Sequence, residues 1–158
     1  MMSLAVCWGR DSRKGETKPP EGVRFKQISA SLDDHNCGVE DSEEETQHGE
    51  NAGQVHCWGN NRLRQSTPPE GEFYSVTTGR SYSCGIQAPS REIQCWGKLR
   101  RFSSKERWSE ISAGHSTLCG ITIDTNRVQC FQSVGMGRVQ YKDETSPLVP
   151  LIGSVSLS

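Results

Sequence analysis

Apolar and polar positions alternate in short runs along this chain, and the runs carry cysteine, tryptophan and glycine at fixed places. The clearest pair is Ser83-Cys84-Gly85-Ile86 and, six residues later, Ile93-Gln94-Cys95-Trp96-Gly97. Copies flank it on both sides: Cys37-Gly38-Val39 with Val55-His56-Cys57-Trp58-Gly59, and Cys119-Gly120-Ile121 with Val128-Gln129-Cys130-Phe131. Alternation with period 2 predicts β-strands. The segments between the copies lack apolar residues at i, i+3, i+4 and i+7 and carry Pro-Pro and many glycines, which disfavours helical repeats.

In an antiparallel hairpin, paired positions add to a constant. Cys84 with Cys95 and Ile86 with Ile93 give the same sum, and the other two copies behave alike: Cys37 with Cys57 and Val39 with Val55, Cys119 with Cys130 and Ile121 with Val128. One register therefore places the cysteines opposite each other and the β-branched pair opposite each other, both on one face. Opposed Cβ atoms at non-hydrogen-bonded positions lie close enough for a disulfide. The spacing predicts disulfides Cys37–Cys57, Cys84–Cys95 and Cys119–Cys130, with reduced, buried thiols as the alternative.

Trp8, Trp58, Trp96 and Phe131 mark the unit starts, spaced by 50, 38 and 35 residues, in the range of propeller blades. Each unit also holds a strand with an aromatic and a β-branched residue three apart: Phe25 and Ile28, Phe73 and Val76, Trp108 and Ile111. The first two of these strands follow Pro19-Pro20-Glu21-Gly22 and Pro68-Pro69-Glu70-Gly71 turns. Three clear strands and room for a short fourth after each Trp-Gly match a propeller blade. The fold expected is all-β, with about three β-propeller-type repeats forming a partial propeller or open arc. Residues 1–131 are the repeat region, in units of about 6–57, 57–95 and 95–131. Residues 132–158 read as a poorly ordered tail, with Leu148, Val149, Leu151 and Ile152 as a candidate edge strand.

Composition changes this picture little. Leu, Ile, Val and Phe number 29 of 158 residues, yet the net charge is only −1, so a small-core β protein rich in turns fits better than disorder. Seven cysteines leave one over: Cys7 has the Cys-Trp-Gly half of a unit and no Cys-Gly half before it. The chain reads as beginning inside a repeat, with Cys7 paired to another segment or chain, or free. No run approaches a membrane span, and neither a signal-peptide run nor an Asn-x-Ser/Thr sequon is present in the sequence.

Two charged stretches stand out. The first hairpin tip carries Glu40, Asp41, Glu43, Glu44, Glu45 and Glu50; without these six charges the rest of the chain goes from −1 to +5. It reads as an acidic recognition loop, a weak cation site or, more simply, a solvated insertion at a hairpin tip. A basic run, Lys98, Arg100, Arg101, Lys105 and Arg107, lies beside Phe102 and Trp108. It reads as a nucleic-acid contact or as a charged loop whose two aromatics face the core, and a pI of about 6.4 favours the charged loop. His35, His48, His56 and His115 lie near cysteines, but no Cys-x-x-Cys occurs and the cysteines are matched across strands, so no metal or other cofactor is expected. No Gly-x-Ser-x-Gly elbow or phosphate loop is present. Trp8, Trp58 and Trp96 read as core anchors.

The unit Val-x-Cys-Trp-Gly, Pro-Pro-x-Gly, Phe-x-x-Ile-Ser-Ala-Gly, Cys-Gly-Ile resembles the regulator of chromosome condensation repeat. It is most similar to the cysteine-bearing subset found in crinkly-type receptor ectodomains and in bacterial propellers similar to beta-lactamase-inhibitor protein II. The resemblance covers about residues 6 to 131, and Ile111-Ser112-Ala113-Gly114-His115 is among its best matches. It implies a propeller; relatives usually close a ring of seven blades, which about three units do not.

The expected function is a non-catalytic binding module for protein, with carbohydrate as a further ligand class, not an enzyme. The contacts considered are Glu43, Glu44, Glu45, Arg100, Arg101, Lys105 and the tyrosines Tyr74 and Tyr82, read as exposed. The alternative, carried by fold analogy, is an exchange-factor-like regulator of a small GTPase or a chromatin-associated propeller. Paired cysteines place the chain outside the cell or in the secretory pathway; free thiols place it in the cytoplasm.

Overall fold

In a computed structural model, which describes residues 4–41, 52–133 and 139–142, the chain is all-β. The first unit comprises β1 (Phe25–Ala30), β2 (His35–Glu40) and β3 (Gly53–Gly59). The second has four strands: β4 (Glu72–Gly79), β5 (Tyr82–Gln87), β6 (Ile93–Gly97) and the short β7 (Ser103–Ser104). The third has β8 (Trp108–Ala113), β9 (Thr117–Thr122), β10 (Val128–Ser133) and β11 (Val139–Lys142). Every pairing is between sequence neighbours and antiparallel. Two residue pairs, Gly53 with Phe73 and Gln54 with Glu72, join β3 to β4, so the first two units run as one seven-stranded sheet; the third is a separate four-stranded sheet.

The hairpin registers are those of the position sums. Cys37 faces Cys57, Cys84 faces Cys95 and Cys119 faces Cys130, and each pair is a disulfide. The β-branched pairs Val39–Val55, Ile86–Ile93 and Ile121–Val128 face each other two positions on.

An aromatic and a β-branched residue three apart fall on opposite faces of a regular strand. Each inner strand corrects this with a bulge at the same place. The register shifts between Phe25 and Gln27, between Phe73 and Ser75, and between Trp108 and Glu110, so one extra residue faces the partner strand. Phe73 and Val76 thereby enter one core cluster, and Trp108 and Ile111 enter the other.

Both glycines of the repeat have steric causes. A Cβ on Gly38, Gly85 or Gly120 would lie 2.5, 2.5 or 2.6 Å from the ring of Phe25, Phe73 or Trp108, so the Cys-Gly glycine is the floor on which the inner-strand aromatic lies. The glycine of Trp-Gly has positive φ, 94° at Gly59 and 78° at Gly97, a conformation that favours glycine.

The core lies between units rather than within them. One cluster sets Cys37, Val39 and Val55 of the first unit against Phe73, Val76 and Trp96 of the second. The other sets Cys84, Ile86, Ile93 and Cys95 of the second against Trp108 and Ile111 of the third. The inner strands β1, β4 and β8 are also tied side by side. Val76 N–H donates to Gln27 Oε1 at 2.9 Å, Thr78 N–H to Ser29 Oγ at 3.0 Å, and Ala113 N–H to Thr77 Oγ1 at 3.0 Å. Three blade-like units fan out from these strands as an open arc.

Two differences from the sequence reading concern the ends. The boundary placed after residue 131 falls inside β10, and β11, in the stretch read as tail, pairs with β10 from Cys130 to Ser133. The candidate edge strand at 148–152 lies outside the described residues. Trp8, read as a core anchor, is exposed. Trp58 and Trp96 are buried by the aromatic of their own inner strand and by the loop after the preceding Trp-Gly, whose Glu16 and Gln65 carbonyls accept their indole N–H groups. Among the described residues neither element has a counterpart beside Trp8.

Candidate functional site

The residue four positions after each inner-strand β-branched residue reaches the same end of the arc: Leu32 after Ile28, Arg80 after Val76, His115 after Ile111. All three are exposed. Beneath them the strands repeat the same pattern, whereas these three positions carry an aliphatic, a cationic and an imidazole side chain. In the second unit the turn is tight: Gly79 pairs with Tyr82, and Ser81 takes a φ of 61°.

Arg80 Nη1 donates to His115 Nε2 at 2.6 Å. A guanidinium has only donors, so Nε2 accepts through its lone pair in this contact. The two side chains form a ridge between two clefts. On one side a cleft of about 350 Å3 is lined by Ala30, Leu32, Thr78 and Ala113. On the other side a cleft of about 360 Å3 is lined by Leu63, Tyr82, Lys98, Ser116 and Ser133. One cleft is mainly apolar, whereas the other mixes polar and apolar surface and carries the cationic groups of Arg80 and Lys98. In the second, the buried hydroxyl oxygen of Ser133 has no hydrogen-bond partner among the described residues.

The floor under this rim is rigid. Tyr82 is fully buried, and its hydroxyl is shared between the carbonyls of Gly114 at 3.1 Å and Thr117 at 2.9 Å, which pins the β8–β9 turn to the second unit. Burial pushes its phenol well above the ordinary value. The reading of Tyr82 as an exposed contact is therefore corrected: a phenol whose hydroxyl reaches two backbone carbonyls across the unit boundary goes inside. Tyr74 is half-buried, with the Arg91 guanidinium 4.1 Å above its ring.

The buried His35 forms a second cross-unit tie. Its Nδ1 lies 3.0 Å from Ser31 Oγ and its Nε2 lies 3.1 Å from Ser83 Oγ. The Ser83 hydroxyl donates to the Gln65 carbonyl, so Nε2–H donates to Ser83 Oγ, and Nδ1 faces the Ser31 hydroxyl. Loss of hydration on burial holds its pKa below the ordinary histidine value, against an opposing attraction from Asp33. With the Ser83 proton committed to a carbonyl, this chain of hydrogen bonds serves packing.

The basic residues read as candidate contacts lie on the connection from β6 to β8. Arg100 and Arg101 are exposed, and Lys105 Nζ pairs with Glu92 Oε2 at 3.1 Å. None of the three lines either rim cleft. The aromatics beside them face inward: Trp108 is buried, and Phe102 packs on Phe131 with centroids 4.8 Å apart. Glu43, Glu44, Glu45 and His48 lie outside the described residues. His56 Nε2 lies 2.9 Å from Glu40 Oε2. The rim itself was missed in the sequence. Its signal was present as the constant spacing of four from Ile28, Val76 and Ile111, at a position where the aligned units carry Leu, Arg and His.

Together these features define an array of propeller-type repeats with a variable turn rim. No family model matches the chain. Among solved structures, it is similar to the ectodomain of the receptor kinase CR4 from Physcomitrella patens, with 28% identity over 81% of this chain and 33% of that one, at a TM-score of 0.64. It is also similar to the CRINKLY WD40 ectodomain of the receptor kinase ACR4 from Arabidopsis thaliana, with 26% identity over 72% of this chain and 38% of that one, at a TM-score of 0.56. Prp20p from Saccharomyces cerevisiae, a protein described with its binding properties to Gsp1p and histones, shares the fold at 10% identity, over 75% of this chain and 33% of that one, with a TM-score of 0.52. The chain thus spans about a third of the length of each.

Proposed function

We propose that this chain is part of a non-catalytic recognition module that works in an oxidising compartment, outside the cell or on its way there, and binds a protein partner through the rim of Leu32, Arg80 and His115. The observation that carries this reading is the rim itself: three equivalent turn positions converge while their side chains differ. Propeller and solenoid folds hold such turns on a rigid scaffold, and variation at the turns changes the partner without changing the fold. The apolar cleft beside Leu32 suits an aliphatic or aromatic anchor of the partner, and the Arg80–Lys98 side suits a carboxylate.

Three disulfides support the compartment, because such bridges persist where the medium is oxidising. The 26–28% identity to two receptor-kinase ectodomains supports kinship with that cysteine-bearing subset. The similarity to Prp20p lends the exchange-factor reading nothing beyond the fold.

Cross-linking mass spectrometry on secreted extract from the native source tests the reading. The wild-type chain is compared with a Leu32→Glu/Arg80→Glu/His115→Glu variant. A partner cross-linked beside the rim and lost from the variant supports it. A partner retained by the variant, or cross-linked only to the β6–β8 connection, overturns it.

A further inference from the structure

The bare tryptophan at the start of the chain marks a docking face, and the internal repeat shows what fits there. Leu4 bridges to Arg24 in the antiparallel sense. Aligned on Trp8 and Trp58, and on Phe25 and Phe73, this is the counterpart of Gln54 paired with Glu72 between β3 and β4. Residues 4–9 therefore lie beside β1, joined to it by that single bridge, in the position that β3 holds beside β4, the place of a blade's third strand. Among the described residues no strand pairs with the other edge of 4–9, and two apolar side chains are correspondingly exposed. Trp8 is 86% exposed, whereas Trp58 and Trp96 are 7% and 5%. Ile28 is 45% exposed, whereas its counterparts Val76 and Ile111 are 1% and 9%. Between them lies a cleft of about 330 Å3 lined by Val6, Cys7, Trp8, Ile28 and Ala30.

We propose that this cleft receives a two-stranded hairpin from a further repeat unit of the same polypeptide. The register of the other units fixes its chemistry. A Cys-Gly-(Val/Ile) strand runs antiparallel to residues 5–8, with its cysteine opposite Cys7, its glycine opposite Val6 and its β-branched residue opposite Ala5. Behind it comes an inner strand whose aromatic ring lies over that glycine and against Trp8, as Phe25 meets Trp58 at 5.7 Å and Phe73 meets Trp96 at 5.9 Å. The β-branched residue of the incoming strand covers Ile28, as Val39 joins Val76 in the core between the first two units. The interface continues one already repeated inside the chain. The similar ectodomains, of which this chain spans about a third, leave length for such a unit. A whole blade from a second copy does not fit, because its own third strand would take the place of residues 4–9.

A fused chain tests this. A copy of residues 72–91 is placed directly ahead of Leu4, the counterpart of Glu92, and refolded in a glutathione buffer. Closing the bridge removes two protons and two electrons from Cys7 and the copied Cys84, and glutathione disulfide takes them up to become two thiols. The expected result is a Cys7 bridge to the copied cysteine in a non-reducing peptide map. Acrylamide quenching of Trp8, read as the difference from a Trp8→Phe chain, should fall at least threefold. A second fusion, with Cys84→Ser in the copy only, must keep that protection, since packing and not the bridge is proposed. A free Cys7 thiol with Trp8 as accessible as in the unfused chain overturns the proposal. So does protection in the unfused chain that tracks dimer formation in the ultracentrifuge, which would make a second copy the occupant.

Discussion

Replacing Gly85 with alanine separates two explanations of the Cys-Gly pair by the sign of the effect. If glycine were present only through drift, alanine would stabilise the strand by about 0.4–1 kcal/mol, because the unfolded chain would lose freedom. The structure demands the reverse. Gly85 is not among the glycines with positive φ, so backbone strain plays no part. A Cβ there meets Phe73 Cδ1 at 2.5 Å and Cε1 at 3.0 Å, and the Ser75 carbonyl oxygen at 3.1 Å. Phe73 is fully buried in the core between the first two units and packs on Trp96, so its ring has no free space to enter. Overpacking of this kind costs about 1–3 kcal/mol, or a fall in Tm of about 2–12 °C for a chain of this size. Urea and thermal unfolding followed by tryptophan fluorescence read the change. Gly114→Ala is the control: the nearest atom to a Cβ there is 3.7 Å away, so this variant should be neutral or slightly stabilised. Combining Gly85→Ala with Phe73→Leu should cost less than the sum of the two, because the smaller side chain removes the clash. A Gly85→Ala chain as stable as wild type, or strictly additive behaviour in the double variant, refutes the account.

Three further outcomes follow from the same structure. Removing the Cys84–Cys95 bridge as a double alanine variant should cost about 3 kcal/mol on a chain-entropy estimate. Removing Cys37–Cys57, which spans 20 residues instead of 11, should cost slightly more; denaturant midpoints compare the two. His35 has a folded pKa below its unfolded value, so the unfolded chain takes up the proton first. Its contribution is whole above the ordinary value near 6.5 and is lost as pH falls below it, so the urea midpoint should drop from pH 7.5 to pH 5 and flatten in His35→Gln. Tyr82→Phe leaves the Gly114 and Thr117 carbonyls short of a donor and should cost about 1–2 kcal/mol. Amide exchange at the β8–β9 turn should quicken in that variant.

The local architecture was legible in the sequence because a strand has period 2. A slip of one residue would send every cysteine and every β-branched partner to the wrong face. Cys84 and Ile86 against Cys95 and Ile93 therefore determined a hairpin register without any tertiary information, and with it which cysteines face each other. The aromatic of each inner strand was legible as a core residue, but how Phe73 and Val76 share a face was not, since three positions apart they belong on opposite sides. The bulge that reconciles them arises from packing between units. Convergence of Leu32, Arg80 and His115 is likewise a matter of three dimensions: they are 48 and 35 residues apart, and only the side-by-side inner strands bring them to one rim. Tyr82 and Trp8 show the same division. One looked like a surface tyrosine and is buried because its hydroxyl bridges two units. The other carries the full core motif and is exposed because burial depends on what packs against a residue. Repetition in the sequence thus set each unit's strands and bridges, while the stacking of units decided which faces are covered, which turns meet and which tryptophan stays bare.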